Sequence, residues 1–261
     1  MKVHAMRHVK PMGQGRTLPH LFYCDDGYPY VVKLMNNEQG SGVLANEFIA
    51  FRLATLLNLP AAEYKIVNIS SELVDVFPAL KRLNVPAGPH IGCLFAEQAI
   101  TLENKVDFSI CQNIKDMAGM IVFDHWIMNW DRYVTGANLL FLQDTTQLLL
   151  IDHSNAFCGP DWDSRELEEN SEDMEVYWGP FYEMFTPYID GSDPFEPYLT
   201  VLEALDRRQL TRAVNGMPGK WKISRSMQES LVEFLYARKN LVRGAMLQLQ
   251  DKFPIWSECS S

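Results

Sequence analysis

Cysteine is scarce in this sequence and forms no recognisable pattern. The five residues Cys24, Cys93, Cys111, Cys158 and Cys259 are odd in number, widely scattered and free of any Cys-x-x-Cys pair. That excludes a disulfide framework or a structural zinc site as the basis of the fold. His4 and His8 are four residues apart with no third ligand nearby in sequence, which reads as an ordinary strand or surface pair, and no transition metal is assigned. Positive charge is also in short supply: 23 Lys and Arg face 33 Asp and Glu, a formal charge of -10. Adhesion to a phosphate backbone or an anionic membrane needs clustered Lys and Arg, so direct nucleic-acid binding is not expected. No apolar run approaches the roughly 20 residues that span a bilayer, so no membrane partner is expected. The opening MKVHAMRHVK lacks the apolar core of a secretory signal. The cytoplasm is the expected location. Repeats and low-complexity tracts are absent.

What is present is the composition of a globular protein, 261 residues with 47% hydrophobic and 21% charged, enough for one large or two modest cores. The first part reads as strand, glycine turn, strand, tight turn, strand, helix and further strands. Asp25-Asp26-Gly27 between apolar runs signals a hairpin, since Gly27 tolerates the positive φ that such turns demand. Apolar residues recur at helical spacing over 43–57, with Leu59-Pro60 as the stop. Residues 63–69 and 73–77 read as strands, and 78–103, richer in Pro and Gly, is expected to include the connection to the second part of the chain. His90 there reads as a loop histidine bonded to backbone. Residues 115–130 predict a helix whose aromatics belong to the core. Helices are expected at 195–205 and 207–214, and Ser224 is the expected N-cap of one long helix through 249.

The chemistry-bearing pattern lies at 129–157, NWDRYVTGANLLF, a polar turn, then LLLIDHSNAF. It places Asp131, Asn138 and Asp152 on two apolar segments joined by a hairpin-like turn. Phosphoryl transfer asks a protein for a carboxylate that aligns the attacking hydroxyl, and for an amide and a second carboxylate that hold a metal against phosphates. The plain alternative for each residue is a turn or strand-end role. Upstream, Gly13-Gln14-Gly15-Arg16 precedes an extended segment, and Lys33 stands alone among the apolar residues of YVVKL (30–34). Such a lysine needs an anionic partner or a route to solvent. Glu47, on the helix that follows, is the expected partner. Glycine loop, strand lysine, helix glutamate, Asp with Asn, and a second Asp fall in kinase order.

The chain resembles the HipA-like kinases, distant relatives of the protein and phosphoinositide kinases. The resemblance rests on GQGRTLPHLF (13–22), YVVKL (30–34), QGSGVLANEFIAFRLATLLNLP (39–60), FDHWIMNWDR (123–132), NLLF (138–141) and LLLIDHSNAF (148–157). It implies an α+β, bilobal protein-kinase-like fold, with a small β-rich N-lobe over 1–104 carrying one main helix and a larger, mostly helical C-lobe over 105–261. It further implies ATP and Mg²⁺ as cofactors and a protein Ser or Thr hydroxyl as acceptor. A regulatory protein partner is a further implication. In the roles it assigns, Gly13, Gln14, Gly15, Arg16 and Lys33 bind the nucleotide. Lys33, Glu47 and Asp131 serve catalysis, and Asn138 and Asp152 hold the metal. Arg132 is a structural partner for a nearby carboxylate, and Asn129 and Asn155 make loop hydrogen bonds.

Two departures from the protein-kinase pattern stand out. The metal asparagine of those enzymes follows the catalytic aspartate by five residues, where this chain has Gly136, with Asn138 two residues later. Asn138 is the expected ligand, because Leu139-Leu140-Phe141 after it resembles the strand entry of the family. With Gly136 in that place one metal contact would be missing. The second departure is Ile-Asp-His-Ser in place of Asp-Phe-Gly. Acidic residues crowd 161–175, which reads as a solvated loop and helix face or as a segment that steers a basic substrate. Two rival readings stay open: a nucleotide-binding pseudokinase or interaction protein, and a kinase-shaped enzyme transferring another part of ATP.

Overall fold

Apolar alternation builds a closed five-stranded barrel from the first part of the chain. In the computed structural model, which describes residues 2–13, 17–102, 106–132, 138–189 and 193–253, β1 (Lys2–Pro11), β2 (His20–Cys24) and β3 (Pro29–Lys33) form an antiparallel run. The helix α1 (Gly42–Leu56) follows, then β4 (Tyr64–Ile69), the short helices α2 (Ser71–Val76) and α3 (Pro78–Arg82), and β5 (Gly88–Leu94). β5 pairs with both β3 and β4, and β4 runs parallel to β1, closing the order β1-β2-β3-β5-β4. The β2–β3 turn carries Gly27 at φ +85°, as its hairpin sequence predicts. Because side chains alternate across a strand, Tyr30 and Val32 point into the barrel core with Phe22, Val67 and Ile69. Val31 and Lys33 therefore face outward, and Lys33 meets Glu47 of α1.

That helix is apolar on nearly every side, the pattern of a helix buried all round. It packs between the barrel and the rest of the molecule, and even its polar residues Asn46 and Glu47 are fully buried. Its first residue touches backbone: a Cβ on Gly42 would lie 1.8 Å from the Pro160 carbonyl oxygen. Only glycine permits so close an approach.

The second part begins with β6 (Ala99–Thr101), which pairs not with the barrel but with β7 (Leu139–Leu142), itself hairpinned to β8 (Gln147–Leu150). Between them α4 (Met117–Ile127) is buried along its whole length. The remaining helices are α5 (Ser164–Glu169), α6 (Pro180–Glu183), α7 (Glu196–Ala204), α8 (Arg207–Val214), α9 (Arg225–Arg238) and α10 (Val242–Gln248). α9 anchors α4: Trp126 Nε1 donates to the Leu235 carbonyl at 2.9 Å, and Arg238 Nε donates to the Trp126 carbonyl at 3.0 Å. Among the described residues no helix is long and apolar enough to cross a membrane.

Four sequence expectations need correction. Residues 73–77 are helix and turn, not strand: the Ser70 hydroxyl caps the Leu73 N–H, and Pro78 then opens α3. The capping bond outweighs the β-branched alternation that suggests a strand. The helix predicted at 115–130 starts as a 3-10 turn and ends at Ile127, because Met128 turns left-handed at φ +53° and Asn129 N closes back on the Asp124 carbonyl at 2.8 Å. The long helix predicted from Ser224 to 249 is capped by Ser224 as expected but breaks after Arg238. There the buried Lys239 ammonium turns inward to the Glu203 and Leu205 carbonyls. His90 lies in strand β5 rather than a loop, bonded to backbone on both sides: Met35 N donates to its Nδ1 at 2.9 Å, and its Nε2 donates to the Pro86 carbonyl at 3.0 Å.

Candidate active site

The register of β3 and the placement of α1 bring Lys33 and Glu47 together. Lys33 Nζ pairs with Glu47 Oε1, donates to Asp152 Oδ1 at 2.7 Å and to Ser154 Oγ at 2.7 Å. Lys33 and Glu47 are buried, whereas the Asp152 side chain keeps 33% of its surface exposed. An ammonium has three N–H groups, and here each has a protein acceptor. Burial opposes the charge on Lys33, yet the Asp152 and Glu47 carboxylates outweigh it and hold its pKa above the ordinary lysine value. Burial likewise pushes the Asp152 carboxyl upward, but the Lys33 charge and the Lys33 and Ser154 hydrogen bonds win and keep it ionised well below the usual carboxylate range. For Glu47 burial is the stronger influence and raises its pKa against the pull of Lys33. Cys93 lies near the same charges, and burial pushes its thiol up to about 12, so it stands as a neutral thiol.

Asn138 and Asp152 meet because they flank one hairpin. Leu139 pairs with Leu150, so Asn138 precedes β7 beside the end of β8, and Ile151 N donates to the Asn138 carbonyl at 3.1 Å. Both residues are left-handed, at φ +48° and +52°, a conformation that Asn and Asp tolerate better than other side-chain-bearing residues. Tyr64 holds the second one, its hydroxyl oxygen accepting from Asp152 N at 3.2 Å.

Asp131 follows the end of α4. Asn138 Nδ2 donates to its carbonyl at 3.1 Å and to its Oδ2 at 3.3 Å, and Asn155 Nδ2 donates to the same Oδ2 at 2.6 Å. Beneath this loop lies a buried polar network. Arg132 donates to Asp124 Oδ2 at 2.7 Å, to the Asn138 carbonyl at 2.7 Å and to His153 Nε2 at 3.0 Å, while Tyr182 and Asn129 also bond Asp124. Arg132 thus has the carboxylate partner its sequence context suggests. Burial, then the Arg132 charge, keeps His153 neutral, as an acceptor must be.

The structure therefore gathers Lys33, Glu47 and Asp152 into one ionic group and Asp131 with Asn138 into another. The segment 152–155 runs through both. Gly13 is left-handed at φ +73°, whereas Gln14, Gly15, Arg16 and Gly136 lie outside the described residues. Sequence reasoning missed three residues. Asn46 donates to the Ser154, Ala156 and Gly159 carbonyls at 2.8, 2.9 and 2.9 Å and accepts from Trp162 Nε1 at 2.8 Å, stapling the Glu47 helix to the segment after Asp152. Its signal was an amide inside an otherwise apolar helical run. Ser154 had no sequence signal, and Asn155 bonds a specific carboxylate rather than loop backbone. The acidic segment after 160 is largely solvated, with Asp163 capping α5 and Arg165 pairing with Glu169 at 2.8 Å.

The model of the HipA-like kinase family matches residues 6–252. The chain belongs to the HipA-like kinase family. Membership makes it a kinase-type phosphotransferase. Among solved structures, this HipA-like kinase is similar to the Helicobacter pylori proinflammatory kinase CtkA, with 14% identity, a TM-score of 0.61, and coverage of 98% of this chain and 97% of that one. A Golgi casein kinase gives 13% identity and a TM-score of 0.49 over 97% of this chain and 71% of its own. At such identities the likeness to CtkA shows the fold alone, an α+β kinase-like fold. No curated protein matches the chain.

Proposed function

We propose that this kinase transfers the γ-phosphoryl group of ATP, with Mg²⁺, to a serine or threonine hydroxyl of a protein. The observation that carries the reading is the buried Lys33 ammonium, ion-paired to Glu47 and Asp152 on a segment that also reaches Asp131. In this reading Lys33 neutralises phosphate oxygens and Glu47 aims it. Gly13, Gln14, Gly15 and Arg16 form the loop over the phosphates, where glycine lets backbone amides come close. Asp131 orients the acceptor hydroxyl and takes its proton.

Asp152 and Asn138 would hold Mg²⁺, which when bound neutralises charge on the β- and γ-phosphates. The residues fit such an ion. Both offer oxygen donors, Asp152 is ionised, and among the described residues no set of three His, Cys, Asp or Glu forms a closed cage. Magnesium is commonly held by one or two carboxylates plus substrate phosphates rather than by such a cage. The contact of Asn138 with Asp131 supports Asn138 over Gly136 as the second ligand. We further propose that 1–104 and 105–261 act as lobes about a nucleotide cleft. Since β6 already pairs with β7, the connection in this proposal falls at 95–98. Free thiols at Cys24, Cys93, Cys111 and Cys158 and the use of ATP favour the cytoplasm as the place of action.

Calorimetry of ATP with and without Mg²⁺, on the native chain and on Asp152→Ala, tests the site. Transfer of label from γ-labelled ATP to the chain itself or to dephosphorylated casein tests the reaction. Magnesium-dependent binding that Asp152→Ala abolishes, with γ-label on protein, is the expected result. ATP that does not bind under any condition sinks the reading. Protein labelled from α-labelled ATP instead makes the enzyme a nucleotidyl transferase.

A further inference from the structure

Asn155 has a sharper role than loop packing. Its amide donates to Asp131 Oδ2 at 2.6 Å, and Asn138 donates to the same oxygen at 3.3 Å. The shared acceptor is a carboxylate oxygen, so only the NH₂ side of each amide can face it. The segment that carries Asn155 is held on both sides: His153 N donates to Glu47 Oε2 at 3.1 Å, and Asn46 binds the Ser154 and Ala156 carbonyls. The backbone on either side of the donor is therefore tied to the buried helix α1.

We infer that Asn155 is a positioning residue that fixes the Asp131 carboxylate in register with Asp152. The inference rests on the phosphotransferase reading above. With Oδ2 held by two amides, Oδ1 is left for the acceptor. In the transfer, the acceptor oxygen bonds to the γ-phosphorus as the bond from that phosphorus to the β–γ bridging oxygen breaks. ADP leaves with that electron pair, and the hydroxyl proton passes to Asp131 Oδ1. A carboxylate free to rotate about its side-chain bonds would spend little time in that orientation, and misplacement by about 1 Å can cost on the order of 100-fold in rate. Asn155 lies three residues after Asp152, so one short segment sets the base and the proposed metal ligand together.

The test is ADP release with dephosphorylated casein as acceptor, for the native chain, Asn155→Ala and Asn155→Asp, beside urea unfolding of Asn155→Ala, Asp131→Ala and the double variant. Asn155→Ala should lower kcat by about 30- to 100-fold, with KM for ATP within about twofold. Asn155→Asp should be worse still, because an ionised carboxylate cannot donate and repels Asp131. A space-filling role predicts the opposite order, since Asp matches Asn in size. Native kcat in Asn155→Ala, or Asn155→Asp more active than Asn155→Ala, overturns the inference. The unfolding cycle should show coupling of about tenfold in the unfolding constant, and additive effects also overturn it. A native chain that releases no ADP sinks the phosphotransferase reading, and the cycle still decides the contact.

Discussion

The two halves of this site are built from opposite materials. Around Lys33 the charged partners are carboxylates: Glu47 is buried with Lys33, and the partly exposed Asp152 completes the set. Around Asp131 the partners are neutral carboxamides in a half-buried loop. Charge taken out of water is costly unless paired, so the first half is tied to the stability of the fold. Amides at a partly solvated carboxylate set direction at little cost either way. The contrast teaches that charge and orientation are supplied separately, the first by Lys33, Glu47 and Asp152 and the second by the Asn138 and Asn155 amides. Both halves lean on a neutral imidazole, His90 behind the β3 strand and His153 under Arg132.

The most direct way to break the comparison is to remove one charge from each half. Lys33→Met leaves Glu47 buried without its cation, and losing one partner of a buried pair costs about 3–5 kcal/mol. Urea unfolding should show that loss, and calorimetry should show ATP binding gone with it. Asp131→Ala should cost less than about 1 kcal/mol, in line with a partly exposed group, while abolishing turnover and sparing much of the ATP affinity. Equal stability losses for the two variants would erase the distinction between the halves.

Acid should loosen the Lys33 half next. Burial depresses the His90 pKa from 6.5 to about 4, and its Nδ1 must stay unprotonated to accept from Met35 N. Between about pH 6.5 and pH 4 the unfolded chain therefore binds a proton that the folded chain refuses, and stability falls as pH falls through this window. A displacement of that size is worth about 3 kcal/mol at its full extent. His8, His20, His125 and His153 are also lowered, with burial the first cause in each, and add the same sign. Unfolding measured from pH 7 to pH 4 should show this slope, and His90→Gln, which titrates nowhere in the range, should flatten it. A native chain equally stable at pH 7 and pH 4.5 would contradict the argument.

How much of this was legible in the sequence follows from range. Lys33 and Glu47 are joined by strand alternation and a helix that starts soon after, so their pairing could be expected from local pattern. Asn138 and Asp152 flank a hairpin whose apolar runs are plain to read. The failures are tertiary. Residues 73–77 look extended until the Ser70 cap forms, and the helix from Ser224 looks continuous until Lys239 finds the Glu203 and Leu205 carbonyls. Asn46, Ser154 and Asn155 bond residues that folding alone brings near, some more than 100 positions away in the case of Asn46 and Ser154. No spacing rule points to such partners.

The smallest expected effect gives the finest resolution of the comparison. Among the described residues Ser154 is the one neutral acceptor on Lys33, and its hydroxyl donates to Asp152 Oδ1 at 2.5 Å. Ser154→Ala removes these bonds but no charge, so stability should fall by about 1 kcal/mol. The freed N–H of Lys33 then becomes available to a phosphate oxygen, and ATP should bind about threefold more tightly, a gain of well under 1.4 kcal/mol. Stability and affinity would move in opposite directions here, whereas in Lys33→Met they fall together. Weaker ATP binding in Ser154→Ala would instead place the hydroxyl on the nucleotide side, and the Lys33 half would then supply orientation as well as charge.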